Sequence, residues 1–279
     1  DILVTDEPAP SFGNFYRMKE LAARPGGIQG YYPQVITTFG MVSDPLCEPI
    51  TEELGLGIDD LKMIFTNEFH PYVVIQRKDA PWGKTFKGLM EYAKKNPGKL
   101  KYLSNEVGSG HDILGEWIMK HFDFRKDIKK IPMGSLQEIG STLGAGEGDF
   151  GVQSPDWALS FWQAGKNDFI ATTGPVVPPP WDKEGTGVTL QSLGFPDVPV
   201  GTVMSLGLSA QVPDSHVWWL YELFKKGAET APFKAREQQI PGCTIKFYDP
   251  PAANELKYQL YEYSEPVIRS IGMHIEDQK

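Results

Sequence analysis

One short segment of the sequence, Tyr102 to Asp112, has the residue types and spacing of a ligand-binding turn. It reads as a strand end, then a loop of small residues that includes Ser104 and Gly108-Ser109-Gly110, and then a helix start. Such a loop presents backbone N–H groups and hydroxyls, and the positive end of the helix favours an anion such as a carboxylate. The alternative is that the glycines only form a tight turn.

The sequence contains no complete catalytic, metal-binding or cofactor motif. In Gly108-Ser109-Gly110-His111 a serine lies close to a histidine, but neighbouring residues after a strand do not generally face one another, and no third triad member is identifiable. The five histidines lack the spacing of metal ligands. Residues 146–151 match Gly-x-Gly-x-x-Gly by letter, yet they lead into a strand and do not open a helix. No catalytic residue, metal or cofactor is therefore predicted.

The composition indicates a folded protein of about two domains. The chain has 279 residues, of which 41% are apolar and 12% aromatic, and this is ample for hydrophobic cores. Its 27 basic and 36 acidic residues give a formal charge of -9, which argues against nucleic-acid binding through phosphate neutralisation. No uncharged run is apolar enough for a membrane-spanning helix. The chain opens at Asp1 without a signal-peptide pattern, so an export signal has either been removed or never existed.

Strands and helices alternate around this loop, as in an α/β protein with many turns. Strands are predicted at residues 2–4, 35–39, 72–76, 100–103, 128–132, 149–153 and 201–208. Helices are predicted at residues 86–96, from about 112 to 122, and at 136–143, 157–163, 216–228 and 252–271, the last of them broken at Pro266. The β-branched and aromatic content of the strands at 35–39 and 72–76 is typical of parallel-sheet cores.

The two cysteines, Cys47 and Cys243, are too few for a disulfide scaffold or a metal cluster. Their separation in sequence leaves two interpretations open. They could form one disulfide that closes a long loop in an oxidising compartment, or they could be two ordinary buried thiols.

A series of short motifs, taken in order along the chain, matches one known family. The first is the run from Tyr92 to Tyr102, and it is followed by Ser104, Gly108-Ser109 and Gly115-Glu116. Later matches are Ile131-Pro132, residues 143–149, Ala164-Gly165-Lys166 and residues 193–197. In these motifs the sequence resembles the tripartite tricarboxylate transporter substrate-binding proteins, also called the Bug family. The shared order argues against chance agreement, and the resemblance extends from residue 2 to residues 272–275.

The resemblance implies a periplasmic clamshell of α/β class, similar to the type II periplasmic binding proteins, in which each of two lobes is a sheet flanked by helices. Residues 1–103 and 206–279 would form lobe I, and residues 104–205 lobe II. Members of this family capture a small organic acid between the lobes and deliver it to a membrane permease. The expected partners are therefore a carboxylate ligand and a permease of a tripartite transporter, and the protein is expected to be a monomer without its signal peptide. Export also implies a disulfide between Cys47 and Cys243.

The sequence departs from the family pattern in two places. The family's first carboxylate-holding loop follows a strand ahead of the one that residues 2–4 resemble, and that unit is missing, so the numbered sequence is expected to be a fragment. The second loop is usually Ser-x-Gly-x-Gly-Ser-x-x-His, but here Glu106 replaces the first glycine and Asp112 the histidine, with His111 one place early. A ligand carboxylate beside ionised Glu106 would be repelled unless a cation, a hydrogen bond or protonation intervenes.

Matching positions predict the residues that contact the ligand. Met133 replaces the tyrosine of the family's Pro-Tyr-x-Gly element, and this exchange favours a less polar acid. Four of the candidates have plainer interpretations. Thr38 could cap a helix, Phe39 could belong to the core, and Ser154 and Asp156 could only begin a helix. The candidates are Thr38, Phe39, Ser104, Asn105, Glu106, Gly108, Ser109, Gly110, Met133, Gly134, Ser135, Ser154 and Asp156.

Two further functions stay open from the sequence. The first is a ligand-binding subunit that reports to a sensor kinase, because the family resemblance permits either partner. The second is an enzyme that acts on a small acid in the same cleft, with Glu106 or His111 as the general base.

Overall fold

The computed structural model describes residues 34–37, 45–47, 50–196 and 202–278, and the described residues form two β-sheets. The predicted strand at residues 2–4 lies outside them. The strands are β1 (Gln34–Thr37), β2 (Leu61–His70), β3 (Val73–Arg77), β4 (Leu100–Asn105), β5 (Ile128–Met133), β6 (Phe150–Gln153), β7 (Asn167–Thr172), β8 (Val188–Thr189), β9 (Thr202–Ser209) and β10 (Thr244–Tyr248). The helices are α1 (Ile50–Leu54), α2 (Phe86–Lys95), α3 (Gly110–His121), α4 (Leu136–Gly144), α5 (Pro155–Gln163), α6 (Asp214–Ala228), α7 (Ala231–Gln239) and α8 (Pro250–Ser270).

The first sheet has the strand order β1-β9-β2-β10, and each neighbouring pair is antiparallel. Helix α8 covers one face, where Leu61 and Met63 of β2 pack with Leu260. Helix α6 covers the other face, where Phe65 packs with Val217. Met63 and Ile64 face opposite sides of the sheet, and a register shift in β2 between Met63 and Phe65 places Phe65 on the α6 side with Ile64.

The second sheet has the strand order β5-β4-β6-β3-β7-β8. Strand β4 pairs in parallel with β5 and β6, and β7 pairs in parallel with β8, whereas β3 is antiparallel to both β6 and β7. Both faces are covered. Tyr102 and Phe150 pack against the α2 and α3 side, and Leu103 and Phe169 pack against the α4 and α5 side.

Side-chain caps set where the principal helices begin. Thr85 accepts a hydrogen bond from the Gly88 N–H at the start of α2, and Asp249 accepts one from the Ala252 N–H at the start of α8. These oxygens satisfy N–H groups that have no acceptor within the helix. Helix α2 ends at Lys95, before the Pro97-Gly98 pair that the sequence indicated as its stop.

The structure corrects three expectations about the elements. The strands expected to lie in parallel sheets, β1 and β3, are antiparallel to their partners. Strand β3 is buried on both faces, and such a strand has a continuous apolar sequence in either direction. Strands β2, β7, β8 and β10 and helices α1 and α7 were not predicted. Strand β2 carries the buried polar residues Thr66, Asn67 and Glu68, which hide its period. Helix α8 continues through Pro266, which is exposed, so the carbonyl that loses its partner faces solvent.

The chain passes from the first sheet to the second ahead of residue 103 and returns to the first sheet later. The chain leaves the first sheet at His70, crosses at Pro71 and Tyr72, and enters the second sheet at Val73. Strands β3 and β4 pair within the second sheet, and helix α2 packs on it. The return occurs at Thr202, where β9 pairs with β2.

Candidate functional site

Three strand–turn–helix units meet at one edge of the second sheet. Because β4 is parallel to β5 and β6, the carboxyl ends of all three strands lie at this edge, and each strand is followed by a helix. The residues before the helices are Ser109, Ser135 and Ser154. The edge therefore brings three helix N-termini together, an arrangement that favours a negatively charged group.

Hydrogen bonds join these three turns to one another. The Glu106 N–H donates to the Met133 carbonyl at 3.0 Å, which links the first turn to the second. The Gln153 side chain donates from Nε2 to the Leu136 carbonyl at 2.7 Å, which links the third turn to the second. His111 Nε2 lies 3.1 Å from Ser154 Oγ, which links the first turn to the third. The turns form one connected surface.

The predicted ligand contacts that fall in the described residues all lie on these turns or on the strand ends that lead into them. Thr38 and Phe39 lie outside the described residues. The first turn contributes Ser104, Asn105, Glu106, Gly108, Ser109 and Gly110; the second Met133, Gly134 and Ser135; and the third Ser154 and Asp156. The structure thus brings the three groups of candidates together.

The buried carboxylate of Asp112 accepts hydrogen bonds from residues of the first turn. Asp112 is 0% exposed and accepts hydrogen bonds from the Ser104 hydroxyl at 2.5 Å and from the Gly108 N–H at 2.8 Å. Lys130 Nζ lies 2.6 Å from the same carboxylate and 3.2 Å from that of Glu116. The acid at the family's histidine position is therefore held inside the protein, and two of the donors expected for the ligand are engaged by it.

Ser109 fixes the start of α3. Its hydroxyl donates to the Asn105 carbonyl at 2.6 Å, and its oxygen accepts the Asp112 N–H at 3.3 Å. The first-turn N–H groups of Gly110 and His111 have no acceptor within the helix. They are the donors that the first turn presents to a ligand once Asp112 has engaged Ser104 and Gly108.

The first turn has a strained backbone at Glu106. Its φ is 29°, in the left-handed region, where a side chain crowds the backbone. The family has glycine at this position, and glycine adopts such a φ without the steric cost. Gly108, with φ 83°, needs the same freedom two residues later. Glu106 is therefore held in an unfavourable conformation by the contacts on either side of it.

His111 lies at the centre of the edge as a neutral group. Its ring makes an edge-on contact with Tyr72, with 4.9 Å between the centroids. Burial, with a smaller electrostatic effect from His70, lowers the pKa of His111 to about 3. A neutral imidazole can bond to Ser154 without adding charge, but so low a pKa makes it a poor general base near neutral pH.

Sequence reasoning missed three residues at this edge: His70, Tyr72 and Gln153. His70 and Tyr72 arrive from the crossing between the sheets, because Val73 at the start of β3 pairs with Gln153 at the end of β6. His70 Nε2 lies 3.7 Å from Glu68 Oε1, and both side chains are buried. The signal present in the sequence was the histidine directly before Pro71, at the end of a run of polar and aromatic residues.

The predicted disulfide is not formed. Cys47 is buried among Leu46, Ile113 and Ile268, where α3 meets α8. Cys243 lies in the turn that leads into β10, and the structure does not join the two sulfurs. Each cysteine is placed by the local packing of its own segment, so the interpretation as thiols describes this structure.

The described residues hold neither a metal-binding cluster nor a membrane-spanning helix. Within residues 34–37, 45–47, 50–196 and 202–278, no group of three or more histidine, cysteine or acidic side chains is arranged to hold a metal ion. In the same part of the chain no helix has the length and apolar content required to cross a bilayer.

A separate pocket of about 320 Å³ lies on the first sheet, between the starts of α6 and α8. Its polar groups bind one another: Lys62 Nζ contacts Asp214 at 2.8 Å, and the Tyr258 hydroxyl donates to Asp59 at 2.7 Å. Lys257 Nζ donates to the Ile58 and Leu61 carbonyls, and burial lowers the pKa of this lysine to about 8. None of the predicted ligand contacts that fall in the described residues lines this pocket.

Comparison with known proteins identifies the fold. No family model matches the chain, and no curated protein sequence matches it. The structure of a periplasmic transporter aligns with a TM-score of 0.80 at 19% identity, over 94% of this chain and 84% of that one. The periplasmic binding protein BugD aligns with a TM-score of 0.79 at 18% identity, over 94% and 84%. MatC from Rhodopseudomonas palustris, with bound malate, aligns with a TM-score of 0.77 at 16% identity, over 92% and 84%. At these identities the likeness establishes the fold: the chain is a two-lobed α/β protein of the periplasmic binding-protein type, as the resemblance to the Bug family implies.

Proposed function

We propose that the protein is a periplasmic solute-binding protein that captures a small organic acid between its two lobes and passes it to a membrane permease of a tripartite tricarboxylate-type transporter. The two lobes are the units built on the two sheets. The acid lies at the edge where the three turns meet the crossing at Pro71 and Tyr72.

One observation carries this proposal: three helix N-termini converge where the chain crosses from one sheet to the other. Helix N-termini attract carboxylates through their free N–H groups and the helix dipole. A ligand at this position also contacts residues from both lobes, because His70 belongs to β2 and Ser109 and Ser135 cap α3 and α4. That MatC binds malate and that BugD is a periplasmic binding protein support the same conclusion.

The mechanism is closure around the ligand. A ligand that touches both lobes binds the closed arrangement more tightly than the open one, so it shifts the population toward closure. The permease then recognises the closed surface. The low pKa of His111 argues against this histidine as the general base of a competing enzyme.

The test is titration of the purified protein with short mono- and dicarboxylates by isothermal calorimetry. Gly134 is the best position for a blocking variant, because a Cβ there would meet Glu138 Oε2 at 3.4 Å, an ordinary contact. Gly134→Asp would place a negative charge on the second turn and is expected to weaken acid binding by about tenfold or more. Gly134→Asn, with the same shape and no charge, is the matched control and should bind nearly as the wild type does.

Three outcomes separate the alternatives. Unchanged release of a bound acid, with Gly134→Asp weakened and Gly134→Asn retained, supports the proposal. Equal binding by both variants would show that the acid does not bind at this edge, and would contradict the proposed site. Conversion of an acid into a product, or failure of every acid to bind, would contradict the assigned function.

A further inference from the structure

One end of the first sheet carries an exposed aromatic surface, which consists of Trp218 and Trp219 of α6 and Tyr258 of α8. Their exposed fractions are 41%, 59% and 40%. Leu223, 37% exposed, follows Trp219 by one helical turn and extends this surface along α6. Single exposed apolar side chains are ordinary, whereas a group of them marks a site of interaction.

The pocket between the starts of α6 and α8 gives the aromatic surface depth. Trp218 and Tyr258 line it from the two helices, together with Pro251. Its volume of about 320 Å³ is at the lower limit for a small-molecule site and suffices for one long side chain. Such a pocket can anchor a partner by enclosing a single protruding group.

The exposed charges next to the aromatic surface are mainly acidic. Two acids line the pocket, one follows Trp218 by one turn of α6, and one precedes Tyr258 by about one turn of α8. The two lysines of the last turn of α6 lie at the end away from the pocket. This distribution favours a positively charged partner. The four exposed acids are Asp59, Asp214, Glu222 and Glu255.

Both lysines that line the pocket are already engaged. Lys62 Nζ contacts Asp214 at 2.8 Å and donates to a backbone carbonyl. Lys257 is 2% exposed, and its Nζ donates to two backbone carbonyls. Asp59 accepts the neutral hydroxyl of Tyr258 at 2.7 Å, and its carboxylate has capacity for a further donor.

The aromatic surface lies at the end of the first sheet that is remote from the cleft. Leu61 at the start of β2 lines the pocket, whereas His70 at the end of β2 lies beside the crossing between the sheets. The ten-residue strand, at about 3.3 Å per residue, separates the two by roughly 30 Å. Elements of the first sheet alone form the surface, so closure of the lobes does not alter it.

We propose that the aromatic surface binds a partner protein through a basic segment, one arginine of which enters the pocket lined by Trp218 and Tyr258. A guanidinium group stacks on aromatic rings and donates to carboxylates, so it suits a pocket that also offers Asp59 and Asp214. Because the surface is remote from the cleft, this partner binds the protein both with and without its acid, unlike a permease that recognises the closed form.

Charge decides against two other occupants of such a surface. A second copy of the chain would bring the same acids together, and the protein has a formal charge of -9. Tryptophan and tyrosine also favour bilayer surfaces, but helices that bind there carry lysine or arginine on their polar face. Here Asp214 and Glu222 stand beside the aromatic side chains.

The experiment uses two peptides as probes: acetyl-Ala-Arg-Ala-Arg-Ala-amide, and the same peptide with citrulline, which is uncharged and similar in shape, in place of both arginines. Calorimetric titration should show that the arginine peptide binds the protein about tenfold or more tightly than the citrulline peptide. Gly134→Asp, which alters the cleft, should bind the arginine peptide as the wild type does. Loss of peptide binding in that variant would place the peptide in the cleft and overturn the inference.

Two variants test the pocket itself. Trp218→Ala should weaken the arginine peptide by about tenfold or more. Trp157→Ala is the matched control, since Trp157 is 39% exposed on α5 beside the second sheet, and it should bind as the wild type does. The double variant Asp59→Asn with Asp214→Asn should bind both peptides alike.

The wild-type protein decides the question even if a variant does not fold. Equal affinity for the two peptides, or failure of both to bind, would overturn the inference. Cosedimentation with vesicles of phosphatidylcholine and phosphatidylglycerol, and sedimentation velocity at rising concentration, should show neither membrane binding nor self-association. Either behaviour, if abolished by Trp219→Ser, would assign the surface to a membrane or to a second copy and overturn the inference. Acid binding at the cleft is measured separately, so each of these results leaves the solute-binding function intact.

Discussion

Lys130 Nζ lies 2.6 Å from the carboxylate of Asp112, which is completely buried beneath the turn between β4 and α3. The pair stabilises the turn, because the same carboxylate accepts hydrogen bonds from the Ser104 hydroxyl and the Gly108 N–H. A sequence that places an acid at this position therefore needs a lysine on the neighbouring strand. Lys130 on β5 meets that need, since it is paired in register with Tyr102 on β4.

We expect Asp112→Ala to lower the free energy of unfolding by about 3 kcal/mol, because it leaves Lys130 partly buried without its main counter-charge. A double-mutant cycle with Lys130→Ala should give a coupling energy of about 2 kcal/mol. The matched control is Asp123 with Lys126, an exposed pair at 3.8 Å with side chains 80% and 75% accessible. Its coupling energy should be below about 0.5 kcal/mol. Chemical denaturation measures both cycles, and equal couplings would contradict this account of the turn.

Replacement of Glu106 by glycine should stabilise the protein. At a φ of 29° the side chain costs about 1–2 kcal/mol, and part of that gain is offset by the greater freedom of glycine in the unfolded chain. We expect Glu106→Gly to be about 1 kcal/mol more stable than Glu106→Ala, which keeps a Cβ in the same conformation. The comparison of these two variants by thermal unfolding removes any effect of the lost carboxylate. An alanine variant as stable as the glycine variant would show that the backbone is not strained there.

Two helical glycines should respond to alanine in opposite directions. A Cβ at Gly140 in α4 would lie 2.2 Å from the ring of Phe161 in α5, so Gly140→Ala should cost about 2 kcal/mol through overpacking. A Cβ at Gly227 in α6 would have no other atom within 4 Å, so Gly227→Ala should stabilise the protein by about 0.5–1 kcal/mol. Adding Phe161→Leu should recover part of the loss at Gly140. No recovery would mean that the ring of Phe161 is not the obstacle.

The stability of the protein should depend on pH through His111. The pKa of this histidine falls from its ordinary value of 6.5 to about 3 on folding, so the unfolded state binds the proton more readily. Its contribution to stability is therefore complete above about pH 6.5 and is lost progressively as the pH falls toward 3. Unfolding free energies measured across this range should fall less steeply for His111→Gln than for the wild type. His216→Gln, at an exposed histidine, should leave the slope unchanged.

The local part of the fold could be predicted, and the tertiary part could not. The alternation from β3 through α5 follows from hydrophobic period and from turn residues such as Pro97 and Ser109, so the three turns were found before their arrangement was known. Strand directions were wrong because burial on both faces gives the same apolar run in parallel and antiparallel strands. Strand β2 was missed because its register shifts and buried polar residues remove any simple alternation.

The candidate site shows the same division. Its serines and glycines lie on local turns and were predicted from the loop at residues 102–112 and from positions that match the Bug family, whereas the hydrogen bonds between turns depend on strand order. The pairing of Lys130 with Asp112 requires β5 beside β4, and the arrival of Tyr72 beside His111 requires β3 beside β6. Neither contact has a signature within a short stretch of sequence.

The pairing of His70 with Thr202 has a consequence for the order of folding. These neighbours in the first sheet are about 130 residues apart in sequence, and closing so long a loop in an unfolded chain is slow. The second sheet and its helices form within that interval, and once folded they bring the ends at Pro71 and Thr202 together. We therefore expect the inserted unit to fold before the sheet that surrounds it, with β2 and β9 joining last.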